Sequence, residues 1–250
     1  MAMRWFLCLL CLPFCIAAQT PQAKSNGNGG LNKDYLTGRF DPSTDSRFVR
    51  ISDQHSTATR YMRKEAYTAF VLMYDAAKKE GIILTIISAT RTFEQQRAVW
   101  DAKWLGKRQV DGIMLSQTMP AKQRAEKILR WSAMPGTSRH HWGTDIDINS
   151  VSPAYWNSSK GKKEYAWLQK NAFRYGFCQT YSALGLPNGR KSGYQEEKWH
   201  WSYMPVSEKL LTWYVKMITD KDLYGFLGAS TAVELQIIKK YVIAINPSCR

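Results

Sequence analysis

The sequence predicts an α+β fold: a small antiparallel sheet flanked by helices, with a helical C-terminal extension. Three observations lead there. Apolar residues recur at helical spacing in the stretches 62–81 and 207–246. Short apolar or alternating runs at 82–88, 146–148 and 196–204 read as strands. No repeat at a solenoid period is present. The length of 250 residues accommodates one good-sized domain whose core needs neither metal nor disulfide as a staple.

Taken in order, the first eighteen residues read as a secretory signal peptide, with Arg4, an apolar run from Trp5 to Ile16, and small residues Ala17 and Ala18 before a cleavage point. The run is short for a bilayer span and no second long apolar segment follows, so no transmembrane helix is expected after cleavage. Cys15 offers lipidation as an alternative, although Phe14 stands where a small residue precedes a lipidated cysteine. Residues 19–33 contain almost no large apolar side chain and read as a flexible tether. Ordered structure is expected from near Tyr35, with the main domain over 34–205 and the helical extension over 206–250 packed on it.

Met62, Ala66, Phe70, Met73 and Ala77 lie at helical spacing, with Gly81 as the stop. A buried strand is predicted from Ile82 to Ser88, then a loop carrying Arg91. Thr92 and Gln95 form a capping box for a helix running toward Trp104. Pro120 opens a further helix to about Ser132. After Gly136 a loop, TSRHHWGT, runs into a strand with Ile146 and Ile148 on one face. A helix from about Lys162 to Tyr175 ends at Gly176. EEKWHWSYM then alternates as a strand does; if regular, it sets Glu197 and Trp199 on one face and Lys198 and His200 on the other. In the final helical stretch Ile237, Ile238, Tyr241, Val242 and Ile245 form an apolar stripe that reads as core packing.

The formal charge of +15 invites a nucleic-acid reading. Export weighs against it, and the basic residues are scattered, as on a solvated surface drawn to anionic envelope polymers. No nucleic-acid partner is expected, and a monomer is favoured. Signal cleavage removes Cys8, Cys11 and Cys15 and leaves Cys178 and Cys249, which an oxidising compartment permits to pair. Two buried, unpaired thiols are the alternative. Neither has the C-x-x-C partner that a cysteine zinc site requires.

Of four histidines, His140, His141 and His200 fall in two compact polar clusters beside predicted strands. A catalytic zinc takes about three N or O ligands and keeps a fourth position open. His140, Asp147 and His200 supply such a set, with the aspartate inside the strand that follows the histidine loop. Hydrolysis also needs a base near the metal, and Glu197 is placed for it, with Glu196 its direct competitor.

These residues carry a resemblance. SRHHWGTDID, from Ser138 to Asp147, resembles the S-x-H-x-x-G-x-A-x-D motif of zinc D-alanyl-D-alanine carboxypeptidases of the VanY type. EKWH, from Glu197 to His200, is similar to their E-x-W-H motif, and SATRTFEQQ, from Ser88 to Gln96, to their S-x-x-R-[S/T]-x-x-x-Q segment. The resemblance spans roughly 36–203. The fold group it belongs to also holds lysostaphin-type peptidases and the hedgehog signalling domain. It implies a zinc peptidase domain with Zn2+ held by His140, Asp147 and His200, and with Glu197 as catalytic base. It also implies Arg91 over the substrate as a catalytic and binding group, holding the scissile carbonyl oxygen or the terminal carboxylate, and Gln96 and Ser138 as substrate contacts. Asp145 departs from the pattern, standing where alanine is common; a partner of a ligand, a substrate contact and a rival ligand all stay open for it.

The implied activity is release of D-alanine from peptidoglycan stem peptides by an exported enzyme of the periplasm or cell envelope. Two alternatives use the same metal site: an endopeptidase cutting within the stem or cross-link, and a non-catalytic zinc-stabilised cell-wall-binding module. Glu197 argues against the module, because a purely structural site needs no base.

Overall fold

The computed structural model describes residues 31–250, which form one compact unit; the segment expected to be a signal peptide and most of the expected tether lie outside the described residues. Helix α1 (Lys33–Leu36) starts just before Tyr35 and is capped by Asn32, whose side chain accepts from the Tyr35 N–H at 2.8 Å. Its two apolar residues reach across the molecule. The Tyr35 hydroxyl donates to the Trp142 carbonyl at 2.9 Å, and Trp142 Nε1 donates to the Leu36 carbonyl at 3.1 Å, so α1 braces the histidine loop.

Strands β1 (Phe48–Arg50) and β2 (Tyr61–Arg63) pair antiparallel, and β2 leads straight into α2 (Lys64–Lys79). Met62 therefore lies in a strand, while Ala66, Phe70, Met73 and Ala77 form the buried face of the helix as their spacing predicts. The rest of the chain provides β3 (Ile86–Ser88), α3 (Phe93–Trp104), α4 (Ala121–Ile128), β4 (Asp145–Ile148), α5 (Pro153–Asn157) and α6 (Ser159–Asn171). It then adds β5 (Phe177–Gln179), β6 (His200–Tyr203), α7 (Met204–Met217) and α8 (Ala232–Leu235). The main sheet has the order β3-β4-β6-β5 with every neighbouring pair antiparallel, which is the α+β arrangement expected.

Two apolar clusters hold it together. One, with Phe70, Met73, Ile86, Ile146, Leu168 and Phe177, lies between the sheet and helices α2 and α6. The other joins Trp100, Trp104 and Ile128 to Trp142, Tyr214 and the C-terminal residues Leu235, Ile237 and Val242. Burial is the dominant stabilising term in both.

Three elements differ from expectation for local reasons. The run from Ile82 is extended, but it joins the sheet only at Ile86. Before that point Asn149, at φ 59°, does a strand's work: its side chain accepts from the Thr85 N–H at 2.7 Å and its own N–H donates to the Thr85 carbonyl at 2.8 Å. The strand over 196–204 begins only at His200. Its N–H donates to the Glu197 carbonyl at 3.2 Å, so a turn precedes the strand. The C-terminal stretch is not one helix. Gly225, Gly228 and Gln236 sit at positive φ, which α-helix forbids, and they divide it into short turns after α7. Ile237, Val242 and Ile245 are nevertheless buried, so the apolar stripe is core. Cys178 in β5 and Cys249 are disulfide-bonded, which fastens this segment to the sheet edge.

Candidate metal centre and active-site cavity

Strand register sets Asp147 directly opposite His200, and Asp145 opposite Ser202, across β4 and β6. Alternate residues share a face of a strand. One face of the sheet centre therefore carries Asp145, Asp147, His200 and Ser202, while Ile146 and Trp201 turn into the core beneath. His140 arrives from the side, on a 3-10 turn (Arg139–Trp142) closed by Gly143 at φ 74°. A side chain at Gly143 would meet the Phe48 ring at 2.3 Å, so only glycine lets the loop drop onto the sheet.

These elements bring one ligand atom each from His140, Asp147 and His200 to within 4.8 Å of one another, all three residues being buried. His200 Nδ1 is 3.1 Å from one Asp147 oxygen and His140 Nε2 is 3.3 Å from the other. The outward nitrogens are already occupied. His140 Nδ1 donates to the Ala89 carbonyl at 2.8 Å, and His200 Nε2 donates to Asp145 at 2.9 Å. That fixes which nitrogen of each ring faces inward, as it does for histidines that bind metals. His140 Nε2, thus aimed inward, is buried without a hydrogen-bond partner. Two ring nitrogens, one of them orphaned, and a carboxylate beside an open cavity are the donor set of a catalytic zinc.

Asp145 is not a rival ligand. Its oxygens accept from Arg139 Nε at 3.0 Å, from the Ser202 and Thr144 hydroxyls at 2.7 Å each, and from His200. Burial pushes its carboxyl pKa up, but Arg139 and His200 outweigh burial and hold it well below the usual range. Asp147 behaves alike: burial raises it, while His140 and His200 bring it far down. Both carboxylates are therefore charged at neutral pH. They keep the His200 ring protonated up to about 9 against burial, a proton that a divalent cation at Nδ1 would replace.

His141, beside the ligand, has a different task. Its Nδ1 donates to the Arg91 carbonyl at 2.7 Å and its Nε2 accepts from the Gly136 N–H at 3.1 Å. Burial drops its pKa to about 3, so the ring is neutral, as this pair of bonds requires. The Arg91 N–H in turn donates to the His140 carbonyl at 3.1 Å. The arginine loop and the ligand loop are one hydrogen-bonded piece. His55 lies elsewhere, against Tyr67.

The turn before β6 settles the geometry of Glu197. A regular strand would set it on the face opposite His200. The turn instead puts its carboxylate 3.5 Å from His200 Nδ1. Burial, helped by Asp147, raises Glu197 to about 7, against the pull of His200, Arg91 and Arg190. Glu196 points to a separate depression with Lys198 and Trp199. The cavity over the ligand set is lined by Arg91, Ser138, Glu197, Ser132 and two tyrosines, Tyr181 and Tyr194. Gln96 is not in this lining. It is buried behind the wall, where its amide donates to the Ala133 carbonyl at 2.7 Å. The sequence reading missed both tyrosines. The Tyr181 ring packs on His200 at 4.6 Å and on Tyr194 at 4.9 Å, yet both come from irregular loop sequence with no motif around them.

The segment that carries the site is similar in sequence to known proteins. A family model described as VanY, D-alanyl-D-alanine carboxypeptidase, matches residues 59–206. A Bacillus subtilis protein named "Putative carboxypeptidase YodJ" is 32% identical over 215 residues, 82% of this chain and 67% of the relative. An Enterococcus faecalis D-alanyl-D-alanine carboxypeptidase is 33% identical over 135 residues, 54% of this chain and 45% of its own length. Among solved structures, a mutant of the vancomycin resistance D,D-pentapeptidase VanY in complex with Zn(II) has a TM-score of 0.47 at 25% identity, covering 66% of this chain and 84% of that one. The LdcB LD-carboxypeptidase has a TM-score of 0.48 at 25% identity, covering 70% and 79%. By the family match across its sheet, its ligand set and its cavity, the chain belongs to the VanY family of D-alanyl-D-alanine carboxypeptidases.

Proposed function

We propose that this chain is an exported zinc carboxypeptidase that removes the terminal D-alanine from peptidoglycan stem peptides ending in D-alanyl-D-alanine. The observation that carries the reading is the buried convergence of His140, Asp147 and His200 with a carboxylate, Glu197, beside it at the base of an open cavity. Export is supported by the leader-like N-terminus and by the Cys178–Cys249 disulfide, a bond that persists in oxidising compartments.

His140 Nε2, His200 Nδ1 and Asp147 would hold the ion, which when bound supplies Lewis-acid polarisation and hydroxide at neutral pH. The chain's own residues do the rest. Glu197 takes a proton from the attacking water on its carboxylate and returns it to the nitrogen of the leaving D-alanine. Its burial favours holding that proton between the two transfers. Arg91, whose main chain is fixed by both histidines of the loop, presents a guanidinium to the negative charge that develops on the scissile carbonyl oxygen. Ser138 offers a hydroxyl to the peptide from the cavity wall. Tyr181 and Tyr194 enclose the site and displace water from it.

The test is mass spectrometry of defined muropeptides incubated with the zinc-loaded protein, with and without chelator. Loss of D-alanine from a pentapeptide stem, abolished by chelator, is expected. Loss of D-alanine only from a tetrapeptide stem would make the activity L,D. Internal cleavage would make it an endopeptidase, and binding without cleavage would make it a recognition module.

A further inference from the structure

Glu197 hangs from a neighbouring segment that is itself held from behind. The Glu197 N–H donates to the Tyr181 carbonyl at 2.9 Å, and Gln179 Nε2 donates to the Glu197 carbonyl at 3.3 Å. Apart from the turn bond from His200, the main chain of Glu197 is therefore fixed by residues 179–181. Gln179, buried at the end of β5, is aimed by the Tyr165 hydroxyl, which donates to its Oε1 at 2.7 Å. The Thr180 N–H donates to the His200 carbonyl at 3.3 Å, so the same three residues also hold a member of the ligand set.

β5 is an edge strand of the sheet, and an edge leaves main-chain groups open to other partners. Here the C-terminal segment takes them. The Asn246 N–H donates to the Thr180 carbonyl at 2.8 Å, and the Asn246 side-chain amide donates to the Gln179 carbonyl at 3.1 Å. Asn246 Oδ1 accepts from the Ser248 N–H at 3.1 Å, which caps the turn Pro247–Cys249, and Cys249 is bonded to Cys178. The same segment reaches the tyrosine wall, where the Tyr241 ring meets the Tyr194 ring at 5.2 Å. Yet none of residues 237–250 lines the cavity, and all of them lie beyond the family-matched stretch 59–206.

We propose that residues 246–249 form a strap that positions the base: Asn246 holds residues 179–181, and these set the Glu197 carboxylate beside the ligand set. This rests on the carboxypeptidase reading above, in which Glu197 moves the proton. Asn246 is a positioning residue, acting through Gln179 and Thr180 and not on the peptide. Proton transfer tolerates little displacement of the base, and a misplacement of about 1 Å costs about 100-fold in rate. A turn that carries such a group outside a strand therefore gains from being tied at both of its main-chain groups.

Two variants separate this role from plain bracing. Asn246→Ala removes both side-chain bonds, whereas Asn246→Asp keeps the acceptor for Ser248 and so the turn, but has no hydrogen to give the Gln179 carbonyl. On the zinc-loaded protein each should lower kcat for an acyl-D-alanyl-D-alanine peptide by about 10- to 100-fold. KM should change by less than about threefold, with zinc content unchanged. Deuterium exchange read residue by residue, without substrate, should quicken at the Glu197 amide by at least about tenfold while the amides of α2 stay as they are. An unchanged kcat in Asn246→Asp would overturn the proposal. So would zinc loss, or a KM that rises as much as kcat falls, since either marks general loosening. Where Asn246→Ala fails to fold, Asn246→Asp carries the comparison. If the wild type turned over no peptide at all, the activity reading would fail and exchange would decide the strap: quickening confined to Glu197 and its neighbours upholds it, and unchanged exchange overturns it.

Discussion

The Asp145 carboxylate and the His200 imidazole meet at 2.9 Å through Nε2, on the opposite edge of the ring from the nitrogen that faces Asp147. Asp145 thereby orients a ligand without being one. Asp145→Asn keeps the shape but weakens the acceptor, and zinc affinity should fall about 10- to 100-fold. Asp145→Ala also strands Arg139, which is 1% exposed, and should cost about 3–5 kcal/mol of stability. Zinc titration and denaturant unfolding of the two variants separate the effects; equal stability losses would mean the Arg139 pair matters less than its burial implies.

Metal content follows from the ligand set. About one zinc per chain is expected by elemental analysis, lost in His140→Ala and in His200→Ala. His141→Ala should keep zinc but melt lower, because it deletes bonds to the Arg91 carbonyl and the Gly136 N–H. Zinc loss in His141→Ala would move the ligand to the neighbouring histidine.

Glu197→Gln cannot accept a proton. Hydrolysis should fall by at least about 100-fold with zinc retained. Glu196→Gln should leave turnover near the wild-type value, since Glu196 faces a different depression. Full activity in Glu197→Gln would end the general-base assignment.

Lys103 gives a pH signature for stability. Burial above all holds its folded pKa at about 8, below the ordinary 10.5, so between those values the unfolded chain binds more protons and stability rises with pH. Below 8 the charged amine costs a constant amount. Lys103→Met should therefore unfold later than wild type at pH 7, by up to about 3 kcal/mol, and the advantage should shrink as pH climbs toward 10.5. Thermal melts of both proteins across that range read it directly, and a pH-independent difference would mean the amine is charged without penalty.

The Cys178–Cys249 bond closes a loop with a sequence separation of 71. Its reduction, or a Cys249→Ser change with Cys178→Ser, should lower stability by about 4 kcal/mol in the loop-entropy limit. Unfolding in the presence and absence of reductant measures it. A shift below about 1 kcal/mol would show that the apolar packing of Ile237, Val242 and Ile245 alone holds the segment.

Local signals were the legible part of the sequence. The capping box at Thr92 and Gln95 is present as read, with the Thr92 N–H donating to the Gln95 side chain at 2.9 Å, because such a box involves only adjacent turns. The spacing of α2's buried face survives for the same reason. The metal cluster was legible because a strand fixes the side of Asp147 and its partner residue types are chemically constrained. What escaped depends on tertiary placement. Nothing in the sequence near Tyr181 or Tyr194 says that they will cover His200, and nothing near Asn246 points to Gln179. The turn at Glu197 escaped because alternation assumes an unbroken strand; the bond from the His200 N–H breaks it one residue too early to see. The C-terminal periodicity is genuine burial without helix, since apolar spacing reports which side is covered and not whether positive-φ residues interrupt it.

The bonds from the Arg91 main chain to the His140 carbonyl and the His141 ring have a consequence for how damage spreads. They tie the arginine loop and the histidine loop into one piece, so neither is displaced alone. On the proposed chemistry, turnover should therefore register a change at His141, although that ring touches neither the ion nor the peptide.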